Sequence, residues 1–316
     1  MQPAAERFWT TLDQHAGIAL SEGPRQLSYA ELRHEVAARA SHLQQLGVQR
    51  VALALDNGLE WALWDLALLR AGLVCVPLPA FFSAAQQEHV LQHAGTDCLI
   101  GTASPLSKRC GFQQTATGLL QRQPDAVTPV PDGTLKITYT SGTTGQPKGV
   151  CLDAGAQLAV AESLWQASLP CDVRQHLCVL PLATLLENIA GLYAPLLAGA
   201  RIELRPLAEI GFSGAASFEL PRLLATSPPA GAARYLKRCR AGGFSHPRGR
   251  GASPPLFNLS HVNHSLLLFV HVAKTAGSTT RRQLHRFAAR TSAIPCVEGH
   301  SMDCDRTSAW KRRNLF

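Results

Sequence analysis

Tyr139-Thr140-Ser141-Gly142-Thr143-Thr144-Gly145-Gln146-Pro147-Lys148-Gly149-Val150 is the stretch on which the reading of this chain turns. Small hydroxyl residues and glycines close on one lysine, the composition of a loop that holds phosphate. Glycine lets the backbone aim its N–H groups at an anion, Thr and Ser hydroxyls add neutral donors, and lysine brings a mobile positive charge. A Walker A loop would need Gly and Lys adjacent and a Ser or Thr after them. Here Gln146 and Pro147 separate Gly145 from Lys148, and Gly149 follows. The phosphate candidates are therefore Thr140, Ser141, Gly142, Thr143, Thr144, Gly145 and Lys148, with an ordinary Gly/Thr surface turn as the bland alternative.

Outward from that loop, residues 135–140 predict the strand that delivers it and residues 154–168 a helix behind it. Toward the N-terminus, Leu27-Ser28-Tyr29-Ala30-Glu31-Leu32 opens a helix to about Leu46, with Leu32, Val36, Ala40, Leu43 and Leu46 on one face and Gly47 as its stop. Val51 to Leu55 reads as a buried strand, residues 59–71 as a helix, residues 74–78 as a strand, 83–94 as a helix and 97–101 as a strand. Residues 103–133, rich in Gln, Thr and Pro, read as a connector. Strand and helix alternate at βαβ spacing, which predicts an α/β fold with mainly parallel sheets flanked by helices.

Composition bounds the rest. The 316 residues can bury a large core, and 46% hydrophobic with 16% charged residues describes a globular chain. No run of uncharged apolar residues is long enough to span a bilayer, and the first 25 residues lack the layout of a signal peptide, so a cytoplasmic location is expected. Nine cysteines lie far apart without CxxC pairs or zinc spacing, which favours reduced thiols and no metal site. The net charge of +8 hides two unlike parts. Residues 1–228 carry 15 Lys and Arg against 19 Asp and Glu, a net of −4, whereas residues 229–316 carry 15 against 3, a net of +12. The basic part has few aromatics and no nucleic-acid motif, so no nucleic-acid partner is expected.

The Tyr139–Val150 run resembles the phosphate-binding signature of the adenylate-forming (AMP-binding) superfamily, which includes acyl-CoA synthetases, luciferases and peptide-synthetase adenylation domains. The chain before it is similar to that family's N-terminal subdomain: a Tyr-x-Glu-Leu helix start, an Asn followed by a Trp-bearing helix, and Ala71-Gly72 leading to a Val-Pro-Leu strand. Residues 177–188, Leu-Cys-Val-Leu-Pro-Leu-Ala-Thr-Leu-Leu-Glu-Asn, resemble the strand and helix start of long-chain acyl-CoA synthetases, with the helix continuing over 191–197 and a strand at 200–204. Thr184 stands where many relatives carry a histidine beside the acyl pocket, and Glu187 reads as a helix-start residue rather than a catalytic acid. The resemblance implies ATP with Mg2+, a carboxylic or fatty acid, and coenzyme A or a carrier thiol as partners. It covers about residues 5–225. The Tyr-Gly-x-Thr-Glu stretch, the ribose-binding Asp and the C-terminal catalytic lysine of that family find no counterpart here, so an incomplete domain spanning 1–225 is expected, with catalytic residues unassigned. The chain reads as a ligase of this type or as a non-catalytic nucleotide- or partner-binding remnant.

Residues 226–260, rich in Pro, Gly and Arg, read either as a flexible linker or as sequence from a splice or frameshift junction. In the remaining piece, 261–316, Ser265 to Val272 predicts a buried strand, and Ala273-Lys274-Thr275-Ala276-Gly277-Ser278-Thr279-Thr280 leads from it into a helix carrying Arg281, Arg282 and Arg286. A strand, a Lys/Thr/Gly/Ser loop and a helix N-terminus make a second anion cradle. The run resembles the phosphosulfate loop of PAPS-dependent carbohydrate sulfotransferases, with Ala273 and Ala276 replacing a Pro and a Gly and Gly299-His300 matching a later Gly-His. That resemblance implies phosphosulfate contacts at Lys274, Thr275, Gly277, Ser278 and Thr279, PAPS as ligand, and a sulfotransferase fragment as a third reading.

Overall fold

The computed structural model describes residues 2–141, 146–169 and 173–209, together with the pair 266–267. The chain starts with helix α1 (Pro3–Leu12) and a hairpin of strands β1 (Ile18–Glu22) and β2 (Arg25–Ser28). These three elements fall outside the expected set; β2 in particular has no buried residue and so no apolar alternation to read. Helix α2 (Tyr29–Leu46) follows on a capping box. Ser28 Oγ accepts the Glu31 N–H at 3.2 Å and Glu31 Oε2 accepts the Ser28 N–H at 2.7 Å. The helix ends at Gly47, whose φ of 69° is left-handed and favours glycine.

Strand β3 (Arg50–Ala54), helix α3 (Leu59–Ala71), strand β4 (Val74–Pro77), helix α4 (Ala84–His93) and strand β5 (Cys98–Gly101) alternate as the sequence predicts. The expected connector does not stay irregular. Within it lie helix α5 (Pro105–Arg109) and two short antiparallel strands, β6 (Gln113–Gln114) and β7 (Leu120–Gln121), too brief to show a period. Strands β8 (Thr134–Ser141) and β9 (Pro147–Asp153) form an antiparallel hairpin. Helix α6 (Ala154–Ser168) begins where Asp153 Oδ1 accepts the Ala156 N–H at 2.6 Å.

After α6 come strand β10 (Gln175–Leu177), helix α7 (Leu185–Glu187), a π turn (Asn188–Tyr193), helix α8 (Ala194–Leu197), strand β11 (Arg201–Glu203) and strand β12 (Leu266–Leu267). Two expectations are corrected here. The strand foreseen from Leu177 stops at Leu177, and the helix foreseen from Gly191 begins inside a π turn, whose apolar spacing differs too little from an α-helix to be read.

A seven-stranded sheet has the order β6-β7-β5-β3-β4-β8-β9. Its centre, β5-β3-β4-β8, is parallel and its margins are antiparallel. A five-stranded sheet has the order β12-β10-β11-β1-β2, parallel except between β1 and β2. At its edge, Leu266 and Leu267 register with Gln175 and His176. Helix α3 contacts β1 of one sheet, β3 and β4 of the other, and α2. It buries Leu59, Trp61, Leu63, Leu66, Leu68 and Leu69, as a helix enclosed by apolar neighbours must. A second apolar cluster, with Val76, Val90, Leu99, Phe112, Ile137 and Tyr139, covers the other face of the seven-stranded sheet. Burial on both faces explains why its central strands read as continuous apolar runs.

Candidate functional site

The candidate phosphate loop is the tip of the β8–β9 hairpin. Register pairs Tyr139 with Gly149, Thr140 with Lys148 and Ser141 with Pro147. Residues directly opposite in an antiparallel ladder share a face, so Thr140 and Lys148 stand side by side, and both are exposed. The glycines and threonines between them, Gly142, Thr143, Thr144 and Gly145, lie outside the described residues. So do Lys274, Thr275, Gly277, Ser278 and Thr279, the expected helix with Arg281, Arg282 and Arg286, and Gly299-His300.

Because β8 runs parallel to β4, β3 and β5, the hairpin tip projects beyond the carboxyl edge of the seven-stranded sheet. That edge is where α/β sheets place their ligands. A shallow cavity of about 680 Å³ lies at the opposite edge, lined by Gln49, Arg50, Asp97 and Arg122 around the starts of β3 and β5. Position and chemistry favour the hairpin tip over that cavity, whose arginines already bond carbonyls: Arg50 those of Ala94 and Thr128 at 2.8 Å, Arg122 that of Cys110 at 2.8 Å.

The hairpin is held from both faces, near its base on one and near its tip on the other. On one, Lys136 Nζ is buried and donates to Asp65 Oδ1 of α3 at 2.7 Å, to Asn188 Oδ1 and to the Tyr193 hydroxyl at 3.0 Å. Asp65 Oδ2 accepts from Asn188 Nδ2 at 2.9 Å and from the Tyr193 hydroxyl at 2.7 Å. Every strong donor and acceptor in this group is therefore matched, which is the condition for burying a charge pair at bearable cost. On the other face, α4 presents two histidines. His89 Nε2 lies 3.1 Å from the Pro147 carbonyl and His93 Nδ1 lies 2.8 Å from the Tyr139 hydroxyl.

The segment resembling the acyl-pocket region is tied to the same edge. Asn57, just past β3, donates to the Leu180 carbonyl at 2.7 Å and accepts the Leu182 N–H at 2.8 Å. Thr184 is half-buried and its hydroxyl donates to the Pro181 carbonyl at 2.7 Å. Glu187 lies in the first turn of α7, the helix-start position the sequence suggests, but it is buried. It ends α7, is 2% exposed, and its Oε1 accepts the Val179 N–H at 3.1 Å. Burial raises its carboxyl to about 7, against the hydrogen bonds from Val179, Cys178 and Leu180 that favour the charged form. Gly191 makes room for it, since a Cβ there would meet Glu187 Oε1 at 2.6 Å.

Among the described residues, His176, Cys178 and Glu187 form one buried group of metal-ligating types, their ligand atoms within 4.8 Å of one another. The Cys178 thiol donates to the Gly191 carbonyl at 3.2 Å and the Glu187 carboxyl receives backbone N–H groups. That pattern is a hydrogen-bonded core cluster. Burial holds the Cys178 thiol well above its ordinary range, so the metal-binding thiolate is disfavoured.

The β8–β9 hairpin, carried at the carboxyl edge of a helix-flanked parallel sheet, defines an α/β domain with its candidate site at that edge. Residues 9–215 match the AMP-binding enzyme family, and the chain belongs to it. Among its relatives, the nonribosomal peptide synthetase gliP of Aspergillus fumigatus is 30% identical over 169 residues, covering 49% of this chain and 8% of that protein. The crotonobetaine/carnitine–CoA ligase of Salmonella arizonae is 31% identical over 185 residues, covering 49% of this chain and 36% of that protein. The crystal structure of ATP-bound MatB from Rhodopseudomonas palustris aligns with a TM-score of 0.51 at 22% identity, over 63% of this chain and 44% of that one. At that identity the alignment establishes the fold. The chain spans less than half the length of each of these three proteins.

No helix among the described residues is long and apolar enough to cross a membrane.

Proposed function

We propose that this chain binds ATP at the β8–β9 tip and takes part in activating a carboxylic acid as its acyl-adenylate, in the manner of acyl-CoA ligases. The carrying observation is the exposed Thr140–Lys148 pair, set opposite each other at the carboxyl edge on either side of a Ser/Gly/Thr tip. In the reaction, a carboxylate oxygen attacks the α-phosphorus of ATP, the bond to the β-phosphate breaks, and pyrophosphate leaves with that electron pair. Charge then builds on the phosphate oxygens. Lys148 and the hydroxyl and N–H donors of 140–145 are the groups to neutralise it, and their gain is catalytic to the extent that they bind the departing charge more tightly than the ground state. Mg2+ suits the same polyanion and would supply charge neutralisation on it. A fatty acid is the proposed substrate and coenzyme A or a carrier thiol the acceptor, because residues 177–188 resemble long-chain acyl-CoA synthetases and the relatives include a CoA ligase and a peptide synthetase.

Calorimetry with ATP and pyrophosphate release with a panel of carboxylic acids test this reading. Saturable ATP binding and acid-dependent release support it, whereas no ATP binding removes it. Binding without release favours the second reading, a non-catalytic nucleotide-binding remnant. The proposed organisation is a 1–225 unit, a 226–260 linker and a 261–316 piece. Limited proteolysis should cut first within 226–260, and protection of that stretch would set the division aside. A cytoplasmic location accords with the ATP requirement.

A further inference from the structure

We propose that His89 and His93 are positioning residues for the hairpin tip: together they hold both strands where the phosphate loop begins, and protonation of His93 loosens the tip and weakens ATP binding. The proposal rests on the ATP reading of that tip. Four residues apart on α4, the two imidazoles share one helix face and stack at 5.2 Å between centroids, 24° between planes. One grips each strand. His89 reaches the Pro147 carbonyl of β9, one residue before Lys148, and His93 reaches the Tyr139 hydroxyl of β8, one residue before Thr140. The other ends of this clamp are fixed by α4 itself, which starts on a Ser83–Gln86 capping box.

Protonation states follow from the partners. A carbonyl only accepts, so His89 Nε2 carries a hydrogen whether the ring is neutral or charged. The Tyr139 hydroxyl is buried and held firmly protonated by that burial, so it is free to donate to a neutral His93 Nδ1. A proton on Nδ1 removes that acceptor. The phenol must then turn its hydrogen away inside a buried site, and a second charge on the stacked ring would add repulsion. In agreement, His93 is held below the ordinary imidazole range, first by burial and then by the neighbouring His89. Tyr139 of β8 faces both rings, and Tyr139 in turn interacts electrostatically with Cys151 of β9 and Arg50 of β3. On α4, Glu88 is turned to Arg109 of α5 at 3.6 Å.

With a depressed folded value, the neutral form of His93 is favoured in the held hairpin. The grip is complete above the ordinary imidazole range and is lost as pH falls through the lower folded value. ATP affinity of the full chain is measured by calorimetry at pH 7.5 and 5.5, for wild type and for the His89→Gln/His93→Gln double variant. Titration of the ATP phosphates is common to both proteins and cancels in the comparison. Wild type is expected to lose about five- to tenfold more affinity than the variant over that interval, the scale of one hydrogen bond. Parallel pH profiles overturn the proposal. If wild type binds no ATP even at pH 7.5, the ATP reading fails separately, and amide exchange at Tyr139 and Gly149 then decides the clamp: exchange that accelerates on acidification in wild type but not in the variant upholds it, and equal exchange overturns it.

Discussion

Two lysines on one hairpin have opposite environments. Lys136, near the base of β8, is buried and spends its donors on Asp65, Asn188 and Tyr193. Lys148, at the start of β9, is exposed beside Thr140. Identical side chains thus divide into one whose charge is consumed by the fold and one left exposed, the proposed phosphate contact. Burial with matched partners marks the first role and exposure beside donor groups at the carboxyl edge marks the second.

The largest expected effect tests the base. Lys136→Ala leaves the Asp65 carboxylate buried without its cation, although Asn188 and Tyr193 still donate to it. A loss of about 3–5 kcal/mol of unfolding free energy is expected, as for other broken buried pairs. Urea denaturation measures it; a loss under about 1 kcal/mol would show that the base does not depend on the pair, and the contrast between the lysines would collapse.

Glu187 gives the next effect, through the π turn that also supplies Asn188 and Tyr193 to the base. Its folded carboxyl sits at about 7, above the ordinary value of 4.5. A raised acid binds its proton more tightly folded than unfolded. That stability is fully present below the ordinary carboxylate range and is lost as pH rises through about 7, on the order of 3 kcal/mol in all. Glu187→Gln should flatten the profile between pH 4.5 and 7.5. A wild-type profile with the same slope as the variant's would place the carboxyl in a wetter site than the structure shows.

Lys148→Ala reverses the pattern of Lys136→Ala. Stability should change by no more than about 0.5 kcal/mol, as for exposed sites. ATP affinity should drop about ten- to a hundredfold, the worth of a charge-assisted phosphate contact. Unchanged affinity by calorimetry would leave the exposed lysine without the role that distinguishes it.

The strand that leads to the tip is legible in the sequence and the polar network at the base is not. Gly, Thr, Ser and Lys in a 12-residue run carry the proposed phosphate loop, because that chemistry would be local. The 4- and 3-residue spacings from Leu32 to Leu43 likewise announce α2, and its buried face matches them. Asp65, Lys136, Asn188 and Tyr193 lie up to 128 residues apart, and no period links them. Glu187 does sit in the first turn of α7, as the sequence suggests, but its burial against Val179 and Gly191 depends on a turn that only the folded chain displays. His89 and His93 stand one helical turn apart, a visible signal, but the carbonyl and phenol they reach belong to strands 58 and 46 residues away.

The smallest effect asks whether the tip depends on α4 at all. Ser83 is the N-cap of α4: its hydroxyl accepts the Gln86 N–H at 3.3 Å, and Gln86 Oε1 accepts the Ser83 N–H at 3.0 Å. Ser83→Ala removes the first of these and leaves a donor to water, at a cost of about 1 kcal/mol. Since His89 and His93 ride on the same helix, the loss should fray α4 from its start while the clamp near its end persists. ATP affinity should then change by less than about threefold even as stability falls, which calorimetry and urea denaturation read side by side. A much larger loss of affinity would mean that the tip draws its order from the whole of α4 and not from its last turn, and the division between a structural base and a ligand-facing tip would have to be redrawn along that helix.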